Sequence, residues 1–140
     1  MNPAPKPAPS ASRETSALQA FDGYTQAFQR LDPSAMPVYF ETPALMISPR
    51  GSIALSDAAA VERMYADVMA DAKAKAYERS ELYDLMERRL STDWALITGD
   101  CAWIDNSGRV LQRIGLSYTL RRSQGTWRLV VTLIHEPRSG

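Results

Sequence analysis

The chain has 140 residues, sixteen of them basic and sixteen acidic, with one histidine and one cysteine. That length fits one domain burying about two-thirds of its unfolded surface, and the cancelling charge sets up no net field toward nucleic acid or an anionic membrane. Cys101 has no partner for an intramolecular disulfide, which points to a reducing compartment, and the lone His135 makes an ordinary zinc site improbable.

No CxxC or HExxH pattern occurs, and no apolar run is long enough for a membrane span or a signal peptide. The expectation is a cytoplasmic protein without metal or cofactor. Residues 1–16, "MNPAPKPAPSASRETS", are rich in Pro, Ala and Ser without apolar periodicity, and predict an extended tail ahead of a single domain over 17–137, with 138–140 as the terminal end.

From Ala17 onward, Phe21, Tyr24, Phe28 and Leu31 recur at helical spacing and form one apolar stripe. Asp32-Pro33 ends this helix and can cap a second, short one reaching Phe40, which Pro37 interrupts. "PALMISPRGSIAL" reads as two short strands around a Pro-Arg-Gly turn. Ser56 is the expected cap of the next helix, where Val61, Met64, Tyr65, Val68, Met69 and Ala72 repeat at i, i+3, i+4 and onward.

The period then changes to that of strands. Four are predicted, over Tyr77–Leu90, Asp93–Ile104, Arg109–Arg122 and Thr126–Glu136, joined by Ser91-Thr92, "DNSG" and "SQGT". Helices followed by an antiparallel meander argue for an α+β fold with the helices on one face of a curved sheet. The pairs Arg88-Arg89 and Arg121-Arg122 lie in mixed-charge strands and read as solvated sheet edges.

Tight turns fix register. A two-residue loop at Gln124-Gly125 sets Leu129 opposite Leu120, Val131 opposite Tyr118, Leu133 opposite Leu116 and His135 opposite Ile114. Extending the register through the other turns adds Gly99, Cys101 and Trp103, then Leu82, Asp84, Met86 and Arg88, to that same face. The opposite face receives Tyr83, Leu85, Trp94, Leu96, Asp100, Arg113, Val130, Thr132 and Ile134. It is too apolar for full solvation and suggests a homodimer through the outer sheet face. On it Asp100 and Arg113 read as a cross-strand ion pair.

"YFETPALMISPRGSIAL", "YERSELYDLMERRLSTDWALITG" and "GLSYTLRRSQGTWRL", with this order of elements, resemble the nuclear-transport-factor-2-like superfamily, also called SnoaL-like or ketosteroid-isomerase-like, in a branch of unassigned activity. The resemblance covers nearly the whole chain after the tail. It implies a cone-shaped, cystatin-like α+β fold: a strongly curved, mixed but mostly antiparallel sheet wrapped around three N-terminal helices. It also implies a pocket between sheet and helices, and a homodimer.

In a ketosteroid isomerase a tyrosine of the first helix polarises the substrate carbonyl and an aspartate moves the proton. "YTQAFQRLD" resembles the tyrosine's stretch, so the resemblance implies that Tyr24 takes that place. Ser48 of "ISPRG" stands where the carboxylate belongs, and "GLSYTL" has no counterpart of the protonated aspartate, which argues against steroid-type isomerisation. Asp100 and Arg113 are residue types used by limonene-epoxide hydrolases, but the register puts them on the outer face.

The cavity row predicted by the register is Asp84, Gly99, Ile114 and His135, with Asp84 and His135 ~14 Å apart on a flat sheet. His135, Tyr24 and Asp84 are the candidate catalytic residues, His135 as general acid/base and Tyr24 as donor to a substrate oxygen. Tyr118, Trp103, Met64, Met86, Gly99, Ile114 and Leu133 are the candidate ligand-binding walls. Each has a structural alternative: a strand-end histidine bonded to backbone, a core tyrosine, an aspartate paired with Arg88. Cys101 reads as an inert core thiol and Glu41 as a solvated loop carboxylate.

The functional expectation is a small-molecule pocket serving acid/base chemistry of isomerase, dehydratase or cyclase type on a small apolar or carbonyl-containing ligand. The alternative is a non-catalytic association domain with a vestigial pocket.

Overall fold

The computed structural model describes residues 16–137; the tail expected over 1–16, apart from Ser16, and the end at 138–140 lie outside the described residues. Helix α1 spans Ala17–Gln29 and starts in a reciprocal cap, Ser16 Oγ accepting from the Gln19 amide at 3.1 Å and Gln19 Oε1 from the Ser16 amide at 2.8 Å. Its stripe of Ala17, Phe21, Tyr24, Ala27 and Phe28 is buried. Asp32 then caps a short turn through Ser34, as expected. Pro33 and Pro37 limit the second helix to two 3₁₀ turns, Pro33–Ala35 and Pro37–Tyr39.

Helix α2, Ala58–Ala74, is capped by Asp57, one residue beyond the expected Ser56; the Asp57 carboxylate accepts from the Ala60 amide at 2.9 Å. A carboxylate satisfies that orphan donor and also meets the positive end of the helix dipole, which a serine does not. Among the described residues, no helix is long and apolar enough to cross a membrane.

Six strands among the described residues form one mixed, curved and unclosed sheet: β1 Phe40–Ser48, β2 Gly51–Leu55, β3 Tyr77–Arg89, β4 Trp94–Asp105, β5 Val110–Ser123 and β6 Thr126–His135. Their order is β2-β1-β6-β5-β4-β3, with β1 parallel to β6 and every other pair antiparallel. The fold is the expected α+β, cystatin-like one. The concave face packs on the helices through Ile97, Leu116, Leu120 and Leu129, each at most 3% exposed, against Phe21, Val61, Tyr65 and Met69.

Two bulges change the expected faces. Leu120 pairs with Leu129 as predicted, but Thr119 pairs with Val131, so Val130 is an extra residue in β6. Beyond it Tyr118 meets Thr132, Leu116 meets Ile134 and Gly115 meets His135. Thr132 and Ile134 therefore take the concave face, while Val131, Leu133 and His135 take the convex one, the reverse of the expectation. In β3, Leu82 pairs with Cys101 as expected, but Tyr83 pairs with Asp100 and Met86 with Thr98. Asp84 and Leu85 together span Gly99, and Asp84 adopts φ 54°. Between β4 and β5 the register lies two residues from the prediction, which preserves the faces; Asp100 pairs with Gly115 and Arg113 with Ala102, as diagonal rather than direct neighbours.

Candidate functional site

The stripes of α1 and α2 cross the concave sheet, and an inner chamber of about 90 Å³ remains between them. Tyr24 of α1, Tyr65 of α2 and Tyr118 of β5 reach it from three elements. The Tyr24 and Tyr65 hydroxyls are hydrogen-bonded at 2.7 Å, and the Tyr118 ring packs on Tyr24 from the sheet side. The rings pack edge-on, with centroids 6.1 Å apart for Tyr24 and Tyr65 and 5.9 Å for Tyr24 and Tyr118. Apolar walls come from Phe21, Phe28, Leu82, Trp103, Ile114 and Ile134.

Proton counting gives this cluster a definite capacity. Three hydroxyls carry three protons; the Tyr24–Tyr65 hydrogen bond uses one, and a link to Tyr118 would use one more. At least one O–H remains to donate, whichever way the bonds run. Burial is the largest cause holding all three phenols well above their ordinary ionisation range. Burial also pushes the Cys101 thiol, on the same wall, up to about 11. The remaining polar side chains of this wall are Thr25 and Ser80; among the described residues it holds no carboxylate and no histidine. At neutral pH the chamber offers a neutral donor and no base to take up a proton.

A second space of about 550 Å³ lies between the β1–β2 hairpin, α2 and the sheet, and Met46, Val68, Trp103, Ile114 and Ile134 line both it and the chamber. Its walls are largely apolar, with Met46, Ile53, Met64 and Trp103, and its rim carries Arg50, Gln112 and a Lys75–Asp71 pair at 3.1 Å.

The residues singled out in the sequence separate into two groups. Tyr24, Tyr118, Trp103 and Ile114 line the inner chamber, and Met64 lines the outer one. His135 does not join them. Ile134 lines the chamber, and consecutive strand residues point to opposite faces, so the bulge at Val130 turns His135 outward.

There the imidazole lies over Gly115: its Nδ1 is 2.7 Å from the Glu136 carbonyl oxygen and its Nε2 is 3.1 Å from Ser117 Oγ. The carbonyl can only accept, so Nδ1 carries a proton and donates to it, and Nε2 hydrogen-bonds with the Ser117 hydroxyl. Leu133, paired with Ser117, shares this convex face.

Asp84 is exposed in its bulge, Met86 is 62% exposed, and Leu85 packs over Gly99, filling the hollow expected there. Glu41 is only half-buried and is paired with Arg121 at 2.9 Å, not directed into the chamber. The residue that sequence reasoning missed is Tyr65. A tyrosine inside a stripe of Val and Met needs a buried hydroxyl partner, and that requirement is the available signal.

The fold is shared with solved structures of low sequence identity. A domain of unknown function with a cystatin-like fold from Nostoc punctiforme superimposes with a TM-score of 0.72 at 15% identity, covering 90% of this chain and 78% of that one. A candidate dehydratase of the NTF2-like family from Streptomyces avermitilis gives 0.68 at 17% identity, covering 89% and 96%. A candidate calcium/calmodulin-dependent protein kinase type II association domain from Thiobacillus denitrificans gives 0.69 at 20% identity, covering 85% and 93%. At these identities the likeness is one of fold alone. No functionally curated protein matches the sequence. The match of a family model to residues 13–137 completes the assignment: the chain belongs to the family described as NTF2-like protein (DUF6841).

Proposed function

We propose that the chain binds a small, largely apolar molecule through one hydrogen-bond-accepting oxygen, a carbonyl being the simplest. The observation that carries this reading is the buried Tyr24–Tyr65–Tyr118 cluster, with one O–H left to donate into an apolar chamber. A few placed polar groups in apolar walls are the usual form of a ligand site. The absence of a carboxylate or histidine from the described inner wall favours binding, or polarisation of the ligand oxygen, over acid/base turnover centred on His135. In this proposal residues 17–137 act as one domain, in the cytoplasm, without a cofactor, nucleic acid or membrane.

The test compares 2-hexanone with hexane in titrations of the native protein and of Tyr24→Phe/Tyr65→Phe/Tyr118→Phe. Loss of one neutral hydrogen bond predicts about a two- to tenfold weaker ketone complex in the variant, with hexane unaffected. Equal ketone affinity in both proteins would count against the reading.

A second reading, self-association, has its own observation. Leu45, Ile47, Leu96 and Leu133 are only half-buried on the convex face, and Tyr83 beside them is 40% exposed. We propose that this face meets the same face of a second copy, an isologous arrangement compatible with a ligand in each chamber. The likeness in fold to an association domain agrees with it.

A further inference from the structure

We infer that the ligand is an elongated, uncharged molecule, with a narrow oxygen-bearing end in the inner chamber and an apolar body passing a throat into the outer one. This rests on the ligand-binding reading above and extends it to ligand shape and charge.

The two spaces share five walls, Met46, Val68, Trp103, Ile114 and Ile134, so they lie on either side of those side chains, and in this proposal that shared wall is the throat of one channel. The inner chamber, about 90 Å³, is well below the ~300–1,000 Å³ typical of ligand sites, whereas the outer one, about 550 Å³, falls within that range. The tyrosine cluster is in the small space and the room for a ligand body is in the large one. A compact molecule uses one or the other; only an elongated molecule uses both.

The rim decides charge. Arg50 and Lys75 are matched there by Asp67 and Asp71, and the 3.1 Å contact between Lys75 and Asp71 pairs two of the four, so no excess charge favours an ionic end. Gln112, beside Trp103 in the register, can hydrogen-bond a neutral hydroxyl on the outer end. Val68 enters the throat from α2 and is only partly buried, so its size controls passage without being central to the core.

The probes are 2-hexanone, 2-octanone and 2-decanone, and their hydroxylated forms bearing the hydroxyl at the far end. The readout is the change in tryptophan fluorescence on binding, Trp103 being the one of the three tryptophans that lines both spaces. Native affinity should rise about fourfold per methylene added into the apolar channel. Val68→Trp should flatten the rise with length, weakening the longest ketone most and 2-hexanone least. Gln112→Ala should weaken the longest hydroxylated ketone several-fold and leave 2-hexanone unchanged.

Binding of 2-hexanone with affinity flat across the native series overturns the elongated ligand and leaves the binding reading intact. So does a Val68→Trp series as steep as the native one, or equal loss at every length. Failure of every ketone to bind overturns the binding reading itself, and this inference with it.

Discussion

Buried tyrosines cost stability unless their hydroxyls find partners; Tyr24 and Tyr65 solve this with each other, and Tyr118 is buried beside them. Replacing one leaves its neighbour unsatisfied, whereas replacing all three with Phe removes every polar partner together. Tyr65→Phe alone is therefore expected to cost about 1–3 kcal/mol, and the triple variant less than the sum of three such losses, by urea unfolding. His135 belongs to a different structural unit. Gly115 is required there because a Cβ would come within 2.6 Å of both the imidazole Nδ1 and the Glu136 carbonyl oxygen. Gly115→Ala should cost about 1–3 kcal/mol through this overlap, and His135→Ala should leave ketone affinity unchanged. A His135→Ala protein that loses ketone binding would return the histidine to the site.

At the scale of elements, length and type were legible and facing was not. The stripe of α1, the Asp32-Pro33 stop and the four long strands follow from spacing and turn residues that leave few alternatives. The bulges do not. "LVVTLIH" is apolar on both faces, so its alternation cannot reveal that Val130 is an extra residue, and the concave set moves from Val131, Leu133 and His135 to Thr132 and Ile134. Asp84, with φ 54°, has the same effect in β3, and the two shifts together break up the expected row of Asp84, Gly99, Ile114 and His135. Tyr24, Tyr118, Trp103 and Ile114 line the chamber, on the face that the spacing predicts, because they lie on α1 or on the β4–β5 pair, whose register differs from the prediction by an even number. The cap of α2 gives a direct check on element boundaries. Asp57→Ala should destabilise by about 0.5–2 kcal/mol and Ser56→Ala by far less, in the same denaturation assay.

For the whole molecule, the curved sheet divides by face: the concave one lines the chamber, and the half-buried apolar residues of the convex one are proposed to meet a second copy. Light scattering should give twice the chain mass, and Leu133→Asp on the convex face should reduce it to one while sparing the ketone site. The buried ionisable groups set the alkaline limit. Cys101 is raised to about 11, Tyr77 to about 12, and the three chamber tyrosines well above their ordinary range, all chiefly by burial. In the unfolded chain the thiol ionises near ~8.5 and the phenols near ~10. The unfolded state therefore releases protons first, and stability is full below about pH 8.5 and falls as pH climbs toward the raised folded values. The three chamber tyrosines add to this loss above ~10, so thermal midpoints of the triple Phe variant should decline less steeply there. The most direct test of the central claim is the infrared stretch of the 2-hexanone carbonyl bound to the native protein. Donation of the cluster's remaining O–H predicts a band at lower frequency than in hexane, returning toward the hexane value in the triple Phe variant; a bound carbonyl with the same frequency in both proteins would contradict the account.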